Sequence, residues 1–299
     1  MTGSVATRAT TAPTNAVVGT GATTSFRSRF RRNRLSLFGA GIIGAFVAIG
    51  VVATWIAPYP YAMFDIGHRL SPPAALHWLG SDQFGRDTLS RIIYGARISL
   101  TVAIAATFTG TVGGIAIGAI AGFVGGWAVE VAMRTMDVIL AFPPIVLALA
   151  IAALLEPSLE NVIGIIGFLI IPQFARVTRG SVLSVKNEEF VTAARVVGLR
   201  ERRILARHVL PNIVGPLVVL ASLTVPGAIL TEAALSYLGV GVQLPTPSWG
   251  NMIADGSSYL LQAPWLTVFP GLAITLAVLG FNLLGDGLRD ALDTTTSSA

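Results

Sequence analysis

An ionisable side chain inside a long apolar stretch is the first place to look for chemistry, and Glu232 is one. It lies in the apolar run 213–238, about six residues from its end, or about 9 Å deep by helical rise. A charge at the centre of a bilayer costs about 2.5–3.5 kcal/mol on insertion scales and less near an interface. Glu232 is therefore expected to be paired, protonated or turned towards a cavity. A proton relay would show several acids at mid-depth, whereas Glu130, Asp137 and Asp286 sit near the ends of their runs, so structural pairing or a gate contact is favoured. Other chemistry finds no footing. Without cysteine there is no disulfide framework, thiolate metal site or thiol nucleophile. His68, His77 and His208 are scattered on both sides and no two have metal-ligand spacing, so no metal site is expected. The only lysine, Lys186, stands between Val185 and Asn187 rather than in a phosphate-cradling G-x-x-x-x-G-K-[ST] loop. There is no G-x-S-x-G elbow or H-E-x-x-H helix either, so neither catalysis nor a resident cofactor is expected of this chain.

The elements that position Glu232 follow from composition. Of 299 residues, 53% are hydrophobic and only 12% charged, against roughly 25% charged in soluble domains, which excludes a soluble globule. Six apolar runs, at 35–57, 99–123, 131–155, 161–180, 213–238 and 264–288, are each about long enough for a core about 30 Å thick. The fold class is thus all-α, a polytopic membrane protein with six transmembrane helices. The fourth run is the weakest, because its apolar part meets Pro172, Gln173 and Arg176. Six crossings leave only Arg69, Arg86, Arg91 and Arg97 of the 20 basic residues on one face. The positive-inside rule then puts both termini and the arginine-rich segment 181–212 in the cytoplasm of a cell membrane, and 58–98 outside. The first run is too long for a signal-peptide core and lacks a clear A-x-A site, so it is read as a span. Residues 1–34 form a basic tail, largely disordered by composition, 99–288 a five-helix core, and 289–299 a second tail.

Gly110, Gly114, Gly118, Gly122 and Gly126 recur at every fourth position, a groove in which a neighbouring helix can approach closely. Pro143 and Pro144 fall inside the third span and Pro172, Pro226 and Pro270 in or beside others, as kinks or hinges. Asp82, Arg86, Asp87 and Arg91 are spaced for ion pairs along a helix face, worth about 0.2–0.5 kcal/mol each if exposed. Pro245, Pro247, Trp249 and Gly250 suggest a stiff turn anchored by an interfacial aromatic. Both stretches are read as packing the outer surface rather than contacting a delivery protein or its cargo.

Between spans four and five runs KNEEFVTAARVVGLRERRILARHVLPN, too polar to cross and too patterned for a slack loop. Asn187 can cap a first helix with Glu188 and Glu189 near its positive end, and Val191, Ala194 and Val197 form an apolar strip. Gly198 supplies a turn, and Arg200 to Val209 a second, basic amphipathic helix ended by Pro211. Composition alone leaves two uses open: arginines against anionic lipid, or a docking knob for a partner.

Ala193 and Ala194, three residues, Gly198, nine residues, then His208, Val209, Leu210 and Pro211 resemble the EAA loop, E-A-A-x3-G-x9-I-x-L-P, of ABC importer permeases. Thr192 replaces the Glu and His208 the Ile, departures that resemble the peptide-permease branch. HWLGSDQFGRDTLSRIIYGARISL and TEAALSYLGVGVQLPTPSWGNMI look like the C-type subunit of dipeptide and oligopeptide permeases, extending the resemblance over about 30–290. The resemblance implies a type I permease fold that pairs with a B-type permease to enclose a pathway. It also implies cytoplasmic ATPase subunits, which carry the ATP and Mg, and an extracytoplasmic peptide-binding protein. Glu189, Ala193, Ala194, Gly198, Leu199, Arg200, Arg202, Arg203, His208 and Pro211 would then couple ATPase closure to the spans. No nucleic acid partner is implied, and the embedding partner is lipid. Relatives of this architecture carry peptides, nickel chelates, haem or glutathione. An ion-coupled secondary transporter would need mid-depth acids or repeated halves, and no internal repeat is visible; a scaffold without transport is the remaining alternative.

Overall fold

The computed structural model describes residues 33–292. The tail arginines Arg8, Arg27, Arg29, Arg31 and Arg32 lie outside the described residues, as do the readings of 1–32 and 293–299 as tails. All regular elements among the described residues are helical, apart from one isolated bridge between Ser81 and Asp87.

Helix α1 (Arg34–Val51) starts at Asn33, whose side chain accepts from the amides of Leu35 and Ser36 and so satisfies two otherwise orphaned donors. A short α2 (Ala53–Ile56) and an irregular segment with one 3-10 turn (Ile66–His68) lead to α3 (Thr88–Phe123). At 36 residues, α3 is about 54 Å long and starts eleven residues before the expected span, so its first turns stand clear of a core about 30 Å thick. Asp87 caps it, accepting from the amide and the hydroxyl of Ser90.

The third expected span is broken. Helix α4 (Trp127–Ala141) and α5 (Pro144–Ala152) meet at 97°, with Phe142 extended between them. Phe142 precedes a proline, which drives it out of the helical region, and Pro144 sits comfortably in the first turn of α5 because that turn needs no amide donor. Pro172, Pro226 and Pro270, by contrast, lie inside unbroken helices: α6 (Leu159–Val185), α9 (Leu210–Tyr237) and α11 (Trp265–Leu292). Among the described residues, five stretches are long and apolar enough to cross a membrane, and six if the bent pair counts as one span.

Residues 161–180, the weakest expected span, lie in the most enclosed of the five: half of the most apolar window of α6 is buried within the protein. On the side walled by protein the helix carries Thr178 buried and Arg179 half-buried, while Gln173 and Arg176 lie on its exposed side. Its wall is the glycine groove. A Cβ placed on Gly110, Gly114, Gly118 or Gly122 would lie 2.6, 2.4, 2.4 or 2.8 Å from its nearest atom on α6, so only glycine admits this approach. Gly126 does not belong to the groove. The helix ends at Phe123, and Gly126 instead opens α4 with a φ of 97° and free space around it.

The contacts pair Gly110 with Gly167 and Gly118 with Ala175, both numbers rising together, so α3 and α6 run parallel. The chain between two parallel crossings must recross, and the bent α4–α5 pair is the segment available. At the other side of the bundle Gly39 meets Gly280 and Ser36 meets Gly287, so α1 and α11 are antiparallel. Asn33 donates to Asp290 at 3.1 Å, which brings the two described ends together on the face that carries Arg289.

Candidate functional site

On the arginine-rich face, α6 gives way to α7 (Glu189–Val196), a turn, α8 (Glu201–Ile204), a π-helical turn Leu205–Val209 and then α9. Asn187 is not the cap of α7; its amide donates back to Leu183 at 3.4 Å. Glu188 holds the cap position without a side-chain bond, and Glu189 is the exposed first residue of the helix. Pro211 does not end the second helix. The π turn widens the backbone so that the amide of Leu210 reaches Leu205, and Pro211 falls in the first turn of α9, where no amide is needed. The protrusion thus runs without a break into a crossing helix.

Gly198 closes α7 with a φ of 81°. Its amide donates to Arg195 at 2.9 Å and the amide of Leu199 to Ala194 at 3.1 Å, which satisfies the last carbonyls of the helix. The two alanines of the motif face opposite ways. Ala194 is buried with Val191 in the main hydrophobic cluster, while Ala193 is exposed. Phe190, Val196 and Val197 are exposed too, the valines at 82% and 79%, an apolar face that the chain itself leaves bare. Arg200, Arg202 and Arg203 are exposed beside it; Leu199 and His208 are half-buried, and Pro211 is exposed.

Motif spacing does not reveal how this protrusion grips the bundle. Lys186 Nζ donates to the carbonyl of Phe123 at 2.6 Å, placing a cation on the negative end of α3. The guanidinium of Arg195 lies 5.9 Å from the Phe123 ring centroid and pairs with Glu201 at 3.2 Å. One side of α7 is thereby tied to the end of α3 and the other to α8. That Lys186 is the only lysine was legible; its partner 63 residues away was not.

Glu232 lies at the opposite end of the bundle, fully buried, and accepts from Ser236 Oγ at 2.8 Å. The hydroxyls of Ser99 on α3 and of Ser248 are its other polar neighbours. Ser99 Oγ accepts from the amide of Trp249 at 3.2 Å, and Ser248 caps α10 (Trp249–Ser257). Glu232 therefore stands where α3, α9 and α10 meet, with serine hydroxyls as its polar neighbours. Trp249 is not an interfacial anchor. It is fully buried, edge-on to Phe46 at 5.4 Å, with Nε1 donating to the carbonyl of Ile92.

The charges from Asp82 to Arg91 are likewise not exposed helix-face pairs. Asp82 accepts from the amides of Phe84 and Arg86, both at 2.9 Å, and from Arg86 Nε at 2.6 Å. Asp255, distant in sequence, meets Arg86 at 3.3 Å and Arg91 at 3.7 Å. Burial pushes the Asp255 carboxyl up, and Arg91 and Arg86 pull it back. Gly85 makes the turn possible: its φ is 75°, and a Cβ there would lie 1.7 Å from the carbonyl of Asp65. His77, read in the sequence as one of three scattered histidines, is buried with Nδ1 at 2.9 Å from Asp87.

A bundle of crossing helices whose arginine-rich protrusion continues directly into a span defines a polytopic membrane subunit. Residues 114–298 match the binding-protein-dependent transport system inner membrane component, and residues 23–73 the N-terminal transmembrane domain of oligopeptide transport permease C. The chain is 44% identical over 265 residues to the dipeptide transport system permease protein DppC of Alkalihalophilus pseudofirmus, covering 89% of this chain and 87% of the relative. It is 42% identical over 269 residues to the glutathione transport system permease protein GsiD of Escherichia coli, covering 90% and 89%, and equally to that of Shigella boydii. The chain belongs to the family of binding-protein-dependent transport system inner-membrane components, the transmembrane subunits of ABC importers. Its amino-terminal part is of the permease C type.

Proposed function

We propose that this chain is the C-type half of the pathway of an ATP-driven importer of small peptides, and that α7 and α8 are its ATPase-coupling element. The observation that carries the reading is the bare apolar face of Phe190, Ala193, Val196 and Val197 on a two-helix protrusion continuous with α9. Apolar area of that kind marks a contact with protein or lipid, and membership of the importer-permease family favours protein. The arginine-rich face is then cytoplasmic and the Asp82–Arg91 face extracytoplasmic. A B-type permease completes the pathway, cytoplasmic ATPases hydrolyse the nucleotide, and an extracytoplasmic binding protein delivers cargo. Closure of the ATPases pushes the protrusion, and the push has two outlets: through the π turn into α9, and through Lys186 into the end of α3. Because relatives of nearly equal identity are named for dipeptide and for glutathione, the cargo is a short peptide, of which glutathione is the alternative.

The test is a complex reconstituted in proteoliposomes, read for peptide uptake and ATP hydrolysis together. Ala193→Arg places a charge on the bare face and Gly198→Trp strains the turn. Both are expected to leave the chain inserted while reducing uptake per ATP at least about tenfold, a loss of about 1.4 kcal/mol of coupling. Unchanged uptake in both variants sinks the assignment. Ala194→Arg is the weaker probe, because Ala194 packs against the chain's own core and its failure would report misfolding.

A further inference from the structure

Two histidines that sequence spacing kept apart meet on the outer face. The 3-10 turn Ile66–His68 carries His68 back to Asp65, with Nδ1 and Oδ2 2.8 Å apart, and the following loop brings His77 alongside, the two rings 5.9 Å between centroids. One donor atom from each of Asp65, His68 and His77 lies within 4.8 Å of the others. Donors around a four-coordinate Zn²⁺ stand about 3.3 Å apart, given bonds of about 2.0–2.1 Å, so closing the set takes a shift of about 1.5 Å. Asp65 and His68 are half-exposed and free to make it, whereas His77 is held.

A second observation points to a ligand here. His77 Nδ1 is engaged by the Asp87 carboxylate at 2.9 Å, while the buried Nε2 has no hydrogen-bond partner. A buried ring nitrogen left unpaired is costly, and a carboxylate on one nitrogen is the arrangement that orients and strengthens the other as a metal donor. Charge agrees as well: Asp65 and Asp87 together offset a divalent cation.

We infer that Asp65, His68 and His77 form a Zn²⁺ site, oriented by Asp87, that fastens the outer segment to the start of α3. Two imidazoles and one carboxylate are a zinc donor set that leaves a fourth position for water. The site is independent of the coupling element and of the cargo.

The test uses the full-length chain in mild detergent, without a histidine tag and stripped by chelator. Titration with Co²⁺ is expected to give ligand-field absorption saturating at one ion per chain and abolished by stoichiometric Zn²⁺. Asp65→Asn and His68→Ala, both half-exposed changes that leave the buried residues in place, are each expected to weaken binding at least about tenfold. His208→Ala, altering the one remaining histidine, is expected to change nothing. Absence of saturable binding overturns the inference, and so does binding that survives Asp65→Asn and His68→Ala unchanged.

Discussion

At the scale of single residues, the outer network shows how burial changes the worth of a charge. Asp82 and Arg86 have side chains only 7% and 3% exposed, and Asp82 also holds two backbone amides, so Asp82→Ala leaves a buried guanidinium with only its longer contact to Asp255 and unties a turn at once. Breaking such a pair costs about 3–5 kcal/mol. Asp255 touches the same arginines, but at 3.3 and 3.7 Å and from a side chain 23% exposed. Its carboxyl is raised above 3.8 by burial, so the folded chain holds that proton more tightly than the unfolded one, and ionisation on the way to neutral pH subtracts from stability. Asp255→Ala is therefore expected to cost less, on the order of 1–2 kcal/mol. Thermal unfolding of the detergent-purified chain checks the order; an equal or larger shift for Asp255→Ala would contradict it. The sequence spacing of Asp82, Arg86, Asp87 and Arg91 made ion pairs legible but not their burial, because Asp255 is 169 residues from Arg86 and no local pattern announces it. Trp249 was misplaced for a related reason: its neighbours Phe46 and Ile92 belong to other helices.

At the scale of elements, the glycine groove sets the geometry of the bundle. Gly113 and Gly114 are adjacent in α3 but face different surroundings, which makes them a controlled pair. A Cβ on Gly114 would stand 2.4 Å from Phe174 Cβ and 2.7 Å from a backbone carbonyl, neither able to retreat without moving α6. On Gly113 it would meet only the far end of Ile171, at 3.2 Å. Overpacking of a tight contact costs about 1–3 kcal/mol, so Gly114→Ala is expected to lower the unfolding midpoint clearly and Gly113→Ala hardly at all. Similar shifts would mean that α3 and α6 are not held by this approach. A four-residue period was readable, and its first four glycines lie against α6, yet it ran one step too far. Period is a property of the letters, and the helix that gives it meaning had already stopped at Phe123. The enclosure of α6 was hidden for the converse reason, since its shelter is supplied by neighbours. The double proline was visible, but whether it kinks or severs a span depends on the packing that Phe142 and Pro144 find on either side.

At the scale of the whole molecule, the number of crossings follows from contacts rather than from hydropathy. The parallel register of α3 and α6 and the bond from Lys186 to Phe123 both put the ends of these two helices on one face. If the α4–α5 pair dipped into the membrane and returned on its own side, α6 would have to run against α3, and Lys186 could not reach Phe123. The absence of native cysteine allows a direct check with single substitutions and a membrane-impermeant maleimide. Ala75→Cys, in the exposed loop before His77, and Ala193→Cys, on the bare face of α7, are expected to label from opposite sides of intact cells and inverted vesicles, the first from outside and the second from the cytoplasm. A third position, Glu156→Cys in the turn before α6, is expected to label with Ala75→Cys, since a true crossing by the bent pair returns the chain to the outer face. Labelling of positions 75 and 193 from the same side, with position 156 from the other, would make the pair re-entrant. It would also separate the protrusion from the ATPases, because a coupling element on the wrong face has nothing to couple to.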